Sequence, residues 1–294
     1  MIIGRLTMAI RLRLHDSQSN TPVRVGGVLP GVVDSGPDSL KRMPVWLGNR
    51  QVDLGEVFEV TSELVADLDT EEGPERHCWQ GDLRCVHEIG AGLQQGRVQI
   101  QGDAGRHIGA QMRGGLLEVD GDVSDFLGVE MQGGQIRVMG NAGDWTGAVY
   151  PGTRSGMNRG EILVDGNAGA GTGQGMRRGI ILIQGTAGPQ VGWNMRGGTI
   201  LVGKGIEGPF GTGMIRGTVI TISDSADSLL KNLGPTFRSG GRISLPMIGL
   251  MKRWFAKHGR RSESIERLLN SPTYKMFHGD ILKGSRGEVL VAES

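Results

Sequence analysis

The chain is poor in most of the residues on which specialised folds depend. Cysteine occurs only twice in 294 residues, too rarely for a disulfide scaffold and in keeping with a reducing compartment. Proline occurs 11 times. Together with glycine it stays below the share that marks low-complexity chains, and no Gly-X-Y triplet runs through the sequence, which excludes collagen. Neither sign of charge is in excess, with 32 Lys and Arg against 31 Asp and Glu, so no overall field draws the chain to nucleic acid or to a membrane surface. No apolar run approaches the roughly 18 residues that span a bilayer. The opening segment, MIIGRLTMAIRLRLHD, alternates apolar residues with Arg and lacks the continuous apolar centre of a signal peptide. The expectation is a soluble cytoplasmic protein, and 37% hydrophobic residues argue against wholesale disorder.

What the sequence has is glycine, 52 residues of it. Of these, 36 fall between Gly81 and Gly217. In that stretch Met112, Met131, Met157, Met176, Met195 and Met214 follow at steps of 19, 26, 19, 19 and 19. A second column, Gly109, Gly128, Gly147, Gly173, Gly192 and Gly211, steps by 19, 19, 26, 19 and 19. The irregular step is one period plus seven residues, and the two columns place the insertion around Tyr150-Pro151-Gly152-Thr153-Arg154-Ser155. Each repeat opens with the period-two alternation of a β-strand. A unit this short, with this much glycine, cannot be a helical repeat. One strand, a glycine turn and further extended pieces describe a coil of a parallel β-helix. The predicted fold is therefore all-β: a right-handed parallel β-helix of about seven such coils. It would span 77–224, with a small β-rich segment at 1–76 before it and a helical tail at 225–294 after it.

Columns of the repeat acquire roles. Val98, Leu117, Ile136, Ile162, Ile181, Ile200 and Val219 form one inward column, and Ile100, Val119, Val138, Val164, Ile183 and Val202 the next. Asp103, Asp122, Asn141, Asn167 and Thr186 mark a corner. There a short polar side chain tolerates left-handed geometry, and stacked Asn residues hydrogen-bond up the column. The Met column reads as core filler. The outward position between the two inward columns changes character along the chain. It is Gln99, Glu118 and Arg137 early, then Leu163, Leu182, Leu201 and Ile220 late. Four stacked aliphatics need cover, from the chain's own tail, the commoner solution, or from a partner protein. Just past the Met column stand Arg113, Arg159, Arg177, Arg178, Arg196 and Arg216 with no acid between them. They read either as a solvated edge or as a docking edge for carboxylates or another anion.

At the two ends the signals are plainer. Leu47 to Val60, with its Gly48-Asn49 turn, reads as a hairpin, and Asp67 to Glu75 as a loop into the repeats. His77, Cys78, Cys85 and His87 are ligand types for a metal. Their Cys-x6-Cys spacing matches no usual zinc site, and buried structural Cys is the reading with more behind it. In the tail, Met247, Leu250, Met251, Trp254 and Phe255 lie at helical spacing among Lys252, Arg253, Lys257, Arg260 and Arg261. This amphipathic helix is suited to packing on the apolar stripe. A short helix from Glu263 to Leu269 and a strand from Glu288 to Ala292 follow. No GxSxG, HExxH, P-loop or Rossmann fingerprint occurs in a supporting context, so no catalytic residue is assigned.

The repeat, clearest in Gly140-Asn141-Ala142-Gly143 and Gly166-Asn167-Ala168-Gly169, resembles the GXGXG β-helix at the C-terminal end of the glutamate synthase large subunit. The segment Gly48-Asn49-Arg50-Gln51-Val52-Asp53-Leu54-Gly55, the insertion Tyr150 to Met157, and Pro235-Thr236-Phe237 with the basic helix narrow the likeness. They resemble the C (gamma) subunit of formylmethanofuran dehydrogenase, and best its bacterial branch, the C (gamma) subunit of the formyltransferase/hydrolase complex. The resemblance covers nearly the whole chain. It implies a scaffold without catalytic residues, in a complex of one-carbon metabolism found in methylotrophy. That complex moves formyl between tetrahydromethanopterin and a methanofuran-type carrier and releases formate. Its partners would be amidohydrolase-like A, B and formyltransferase D subunits, with zinc in one of them and no cofactor held by this chain. The carrier's polyglutamyl tail would give the Arg edge a ligand. The alternatives are the C (gamma) subunit of a tungsten or molybdenum formylmethanofuran dehydrogenase, and a stand-alone β-helix interaction module.

Overall fold

The computed structural model describes residues 5–16, 21–31, 36–67, 76–222, 231–233, 235–244, 248–258, 263–284 and 286–292. Among them the chain is mostly strand. Each repeat contributes one strand, and successive strands pair in parallel: Arg76–Gln80, Arg97–Gln101, Arg113–Val119, Gly133–Val138, Glu161–Val164, Ile180–Ile183, Arg196–Val202 and Arg216–Ile222. The register follows the sequence columns. Ile136 faces Ile162, which faces Ile181, then Ile200 and Val219. A second line of parallel bridges runs through Leu83, Ala104, Val123, Ala142, Ala168, Ala187 and Ile206. Both inward columns and the whole Met column are buried. Unbranched Met fills the irregular space between the two ladders.

The corner residues hydrogen-bond up the column as expected, Asn141 Nδ2 donating to Asp122 Oδ1 at 3.0 Å, but without left-handed geometry. None of Asp103, Asp122, Asn141, Asn167 and Thr186 takes a positive φ. Their side chains also accept the backbone N–H of the next repeat. Asp122 N donates to Asp103 Oδ1 at 2.9 Å, Asn141 N to Asp122 Oδ1 at 2.6 Å, Asn167 N to Asn141 Oδ1 at 2.9 Å and Thr186 N to Asn167 Oδ1 at 2.9 Å. The glycine before each of the last four is required by this ladder. A Cβ on Gly166 would lie 2.5 Å from Asn141 Oδ1 and 2.6 Å from Gly140 O.

The stack recruits strands that the repeat does not contain. At the early end Arg5–Leu14 pairs in parallel with Arg76–Gln80 and antiparallel with Phe58–Asp67. At the late end Gly287–Ala292 adds in parallel to Arg216–Ile222, placing Val289 opposite Val219 and Leu290 opposite Ile220. Tyr274–Gly279 and Arg238–Ile243 then close the sheet antiparallel, giving 13 strands in all. A separate four-stranded sheet holds the hairpin Pro44–Leu47 and Arg50–Asp53, turned at Gly48-Asn49, with Val23–Arg24 and Val86–His87. Between hairpin and long strand lies a one-turn helix, Leu54–Val57, that hydrophobic patterning does not reveal. Phe58 meets Trp79 edge-on at 5.2 Å, which joins this region to the first repeat.

Two apolar clusters result. The larger lies inside the stack and continues into the N-terminal strands. The smaller lies on its outer face, where Leu182, Leu201 and Ile220 are buried with Ile248, Met251 and Phe255 of the helix Ile248–His258, and with Ile265, Leu268 and Leu269 of the helix Glu263–Asn270. Trp254 Nε1 donates to Glu161 Oε1 at 2.5 Å, tying the first of these helices to an earlier repeat. Leu163 is buried too, although outside that cluster. The remainder of the expected loop after Asp67, and Met247, Arg260 and Arg261 of the basic segment, lie outside the described residues. No helix among the described residues is long and apolar enough to cross a membrane.

Candidate functional site

The six arginines are all exposed. The stacking brings five of them together. Arg177 and Arg196 occupy the same column on successive repeats, as do Arg159 and Arg178, and Arg196 is the register partner of Arg216. Arg113 stands two repeats away, because Gln132 and Asn158 fill its column in between. Among the described residues none of the six joins an ion pair, and Arg177 Nη1 reaches Ser155 Oγ of the insertion at 3.5 Å. Guanidinium groups one repeat apart, roughly 5 Å along the stack, repel one another and favour an anion laid along the edge.

The His and Cys residues near the first repeat are not brought together. Strand alternation buries His77 inside the stack and turns Cys78 outward. His87 belongs to the other sheet, where its Nδ1 accepts the N–H of Arg106 at 3.0 Å. Neither Cys78 nor Cys85 forms a disulfide, and burial pushes the pKa of each thiol up. Burial lowers His77 to about 4 and also lowers His87. No group of three or more ligand residues among the described residues is placed to hold a metal.

A feature that the sequence motifs do not announce lies beside the insertion. Glu88, His107, Phe126, Trp145, Gly171 and Gln190 occupy one position of successive repeats, and all have positive φ, between 62° and 72°. Each donates its N–H to a carbonyl of the following repeat, His107 to Asp125 O at 3.0 Å and Phe126 to Asp144 O at 2.8 Å, for example. Non-glycine side chains are uncommon in this region and cost about 1 kcal/mol or more. Three of them here are ring side chains. His107 and Phe126 stack at 5.0 Å with 13° between planes. Tyr150, from the insertion, leans over both, and its hydroxyl lies 2.8 Å from His107 Nδ1. Burial holds His107 below the usual histidine range and pushes the Tyr150 phenol up to about 12. A half-open cavity of about 340 Å³ lies between Phe126 and Trp145, walled by Val149, Tyr150, Pro151 and Gln174 among others. A signal for it exists in the sequence: rings spaced by one period next to the only break in that period, in a chain with 4% aromatic residues.

Both sites lie on the stacked repeats. No protein-family model matches the chain, and no curated protein matches it. Among solved structures, it is similar to a chain in the crystal structure of the formyltransferase/hydrolase complex (FhcABCD) from Methylorubrum extorquens in complex with methylofuran, with 28% sequence identity and a TM-score of 0.82 over 97% of this chain and 100% of that one.

Proposed function

We propose that the chain is the C (gamma) subunit of a formyltransferase/hydrolase complex, a scaffold that holds catalytic partners and takes no part in the chemistry itself. The observation that carries this reading is the full-length structural likeness at 28% identity to a chain of such a complex. Because that likeness runs to both ends of the neighbour, it includes the tail as well as the repeats. The neighbour's complex is a formyltransferase/hydrolase bound to methylofuran, which favours the hydrolytic assembly over a tungsten or molybdenum dehydrogenase.

In this reading the two stacked ladders form a right-handed parallel β-helix, whose rigidity fixes the spacing of whatever docks on it. The amidohydrolase-like A, B and formyltransferase D subunits supply the active sites and the zinc. Formyl passes between tetrahydromethanopterin and a methanofuran-type carrier, and formate is released there. The cluster Arg159, Arg177, Arg178, Arg196 and Arg216 is the docking edge, for carboxylates of a partner or of the carrier's tail. Bidentate guanidinium–carboxylate pairing suits a row of acids better than a single anion.

Purification from the native host is expected to bring three further proteins with this chain, an amidohydrolase-like zinc protein and a formyltransferase among them. Elution alone as a monomer overturns the assignment. Reversal of Arg177, Arg196 and Arg216 to Glu is expected to weaken assembly or carrier use while leaving the thermal melt of the isolated chain unchanged. Unaltered assembly and turnover would remove the docking edge from the reading.

A further inference from the structure

We propose that the slot between Phe126 and Trp145 is a binding site for one flat, uncharged aromatic ring of a small molecule, inserted as the missing member of the ring stack. The column supplies the argument. His107 and Phe126 stack at 5.0 Å, matching the rise of about 4.8 Å from one repeat to the next. Trp145 occupies the next position with the same backbone geometry, φ 66° against 64° for Phe126. Its indole instead lies back on Gly171, where a Cβ would come within 3.0 Å of Trp145 Cδ2. Gly171 is the one position of this column without a side chain. The glycine thus lets the indole leave the stack and opens the slot.

The insertion completes the site. Tyr150 and Pro151 form its outer wall, and a carboxylate fastens them. Glu130 accepts from Tyr150 N at 3.3 Å, from Gln111 Nε2 at 3.0 Å and from the Thr153 hydroxyl. Burial of Glu130 is outweighed by these hydrogen bonds, which hold its pKa below the usual carboxylate value. Its oxygens are occupied in holding the loop. No charged side chain lines the cavity, so the occupant is neutral. The volume of about 340 Å³ lies at the lower end of small-ligand pockets, which run from roughly 300 to 1,000 Å³. The rings of Phe126, Trp145 and Tyr150 in its lining favour a flat occupant over a puckered one, since stacked aromatic pairs gain about 0.5–1.5 kcal/mol beyond simple burial. This site stands independently of the docking edge and of membership in the complex.

The test uses the full chain labelled with 5-fluorotryptophan, with the Trp145 resonance assigned by Trp145→Phe. Benzamide and cyclohexanecarboxamide serve as probes, since they share an amide and differ in the flatness of the ring. Benzamide is expected to shift the Trp145 resonance saturably, and cyclohexanecarboxamide to bind roughly 3- to 10-fold more weakly. Val149→Phe, which fills the slot, is expected to abolish the shift. Gln174→Phe blocks the lip and gives the same reading should the first variant fail to fold. Three results overturn the proposal: no saturable shift with benzamide, equal binding of both amides, or a shift that survives both blocking variants. A resonance that moves only when another protein is added makes the slot a protein contact and also overturns it.

Discussion

The early and late halves of the stack share one backbone and differ on one face. In the early half the outward position is polar. Arg97 lies 2.5 Å from Glu118, and Arg137 lies 3.6 Å from the same carboxylate. In the late half the same position is Leu182, Leu201 and Ile220, buried under two helices. The strands record the difference. Arg97–Gln101 alternates buried residues with half-buried or exposed ones, whereas Glu161–Val164 and Ile180–Ile183 are buried at three consecutive positions. A continuous apolar strand is one covered on both faces. The ladder therefore sets the shape, and a single outward column decides whether a stretch of it meets water or a partner element.

Four changes would break or sharpen that contrast. The largest effect is expected from Leu201→Asp. Leu201 is 1% exposed, and an unpaired carboxylate there should cost about 4 kcal/mol. Denaturant unfolding reads the loss, and hydrogen exchange should show both tail helices released while the early strands stay protected. The matching change on the wet face, Gln99→Thr, is expected within about 0.5 kcal/mol of the parent. Equal losses at the two positions would erase the distinction.

Acid should act on the opposite end. His77 is buried and neutral, with its pKa lowered to about 4, while in the unfolded chain it titrates near 6.5. Between those values the unfolded state binds the extra proton. The histidine's contribution is therefore whole above about pH 6.5 and is lost as pH falls toward 4, on the order of 3 kcal/mol in all. His77→Leu should flatten the pH dependence of unfolding across that window, and an unchanged slope would assign the effect elsewhere. A smaller effect than either loss is expected from Glu118→Gln. The pairs it breaks, with Arg97 and Arg137, are only part-buried, so the cost is about 1 kcal/mol and should shrink in high salt.

Much of this architecture was legible because a repeat states its register many times. The period of the Met column and the column from Val98 to Val219 located the tandem strands after Arg76–Gln80, and the change from Gln99 to Leu201 pointed to a covered face. Other features were closed to that reasoning. Arg5–Leu14 and Gly287–Ala292 carry no repeat motif, and they join the stack by long-range pairing that alternation alone cannot specify. The corner Asp and Asn residues were identified, but their role as acceptors for the next repeat depends on which face the side chain leaves. The grouping of five arginines, with Arg113 apart, follows from the column offsets. The ring slot depends on the indole of Trp145 turning onto Gly171, a matter of rotamer on which periodicity is silent.

The position of Gly287–Ala292 has a consequence for synthesis. It pairs with Arg216–Ile222, yet it leaves the ribosome only after the intervening tail has been made. Until then the newest repeat presents a bare edge of N–H and C=O groups, and the row of Leu182, Leu201 and Ile220 beside it stays uncovered until the two tail helices have been made. An unpaired, apolar edge is a template for association with other chains. The last strand is thus the stopper of the edge, and chains stalled before it emerges should be the ones that chaperones hold and that aggregate.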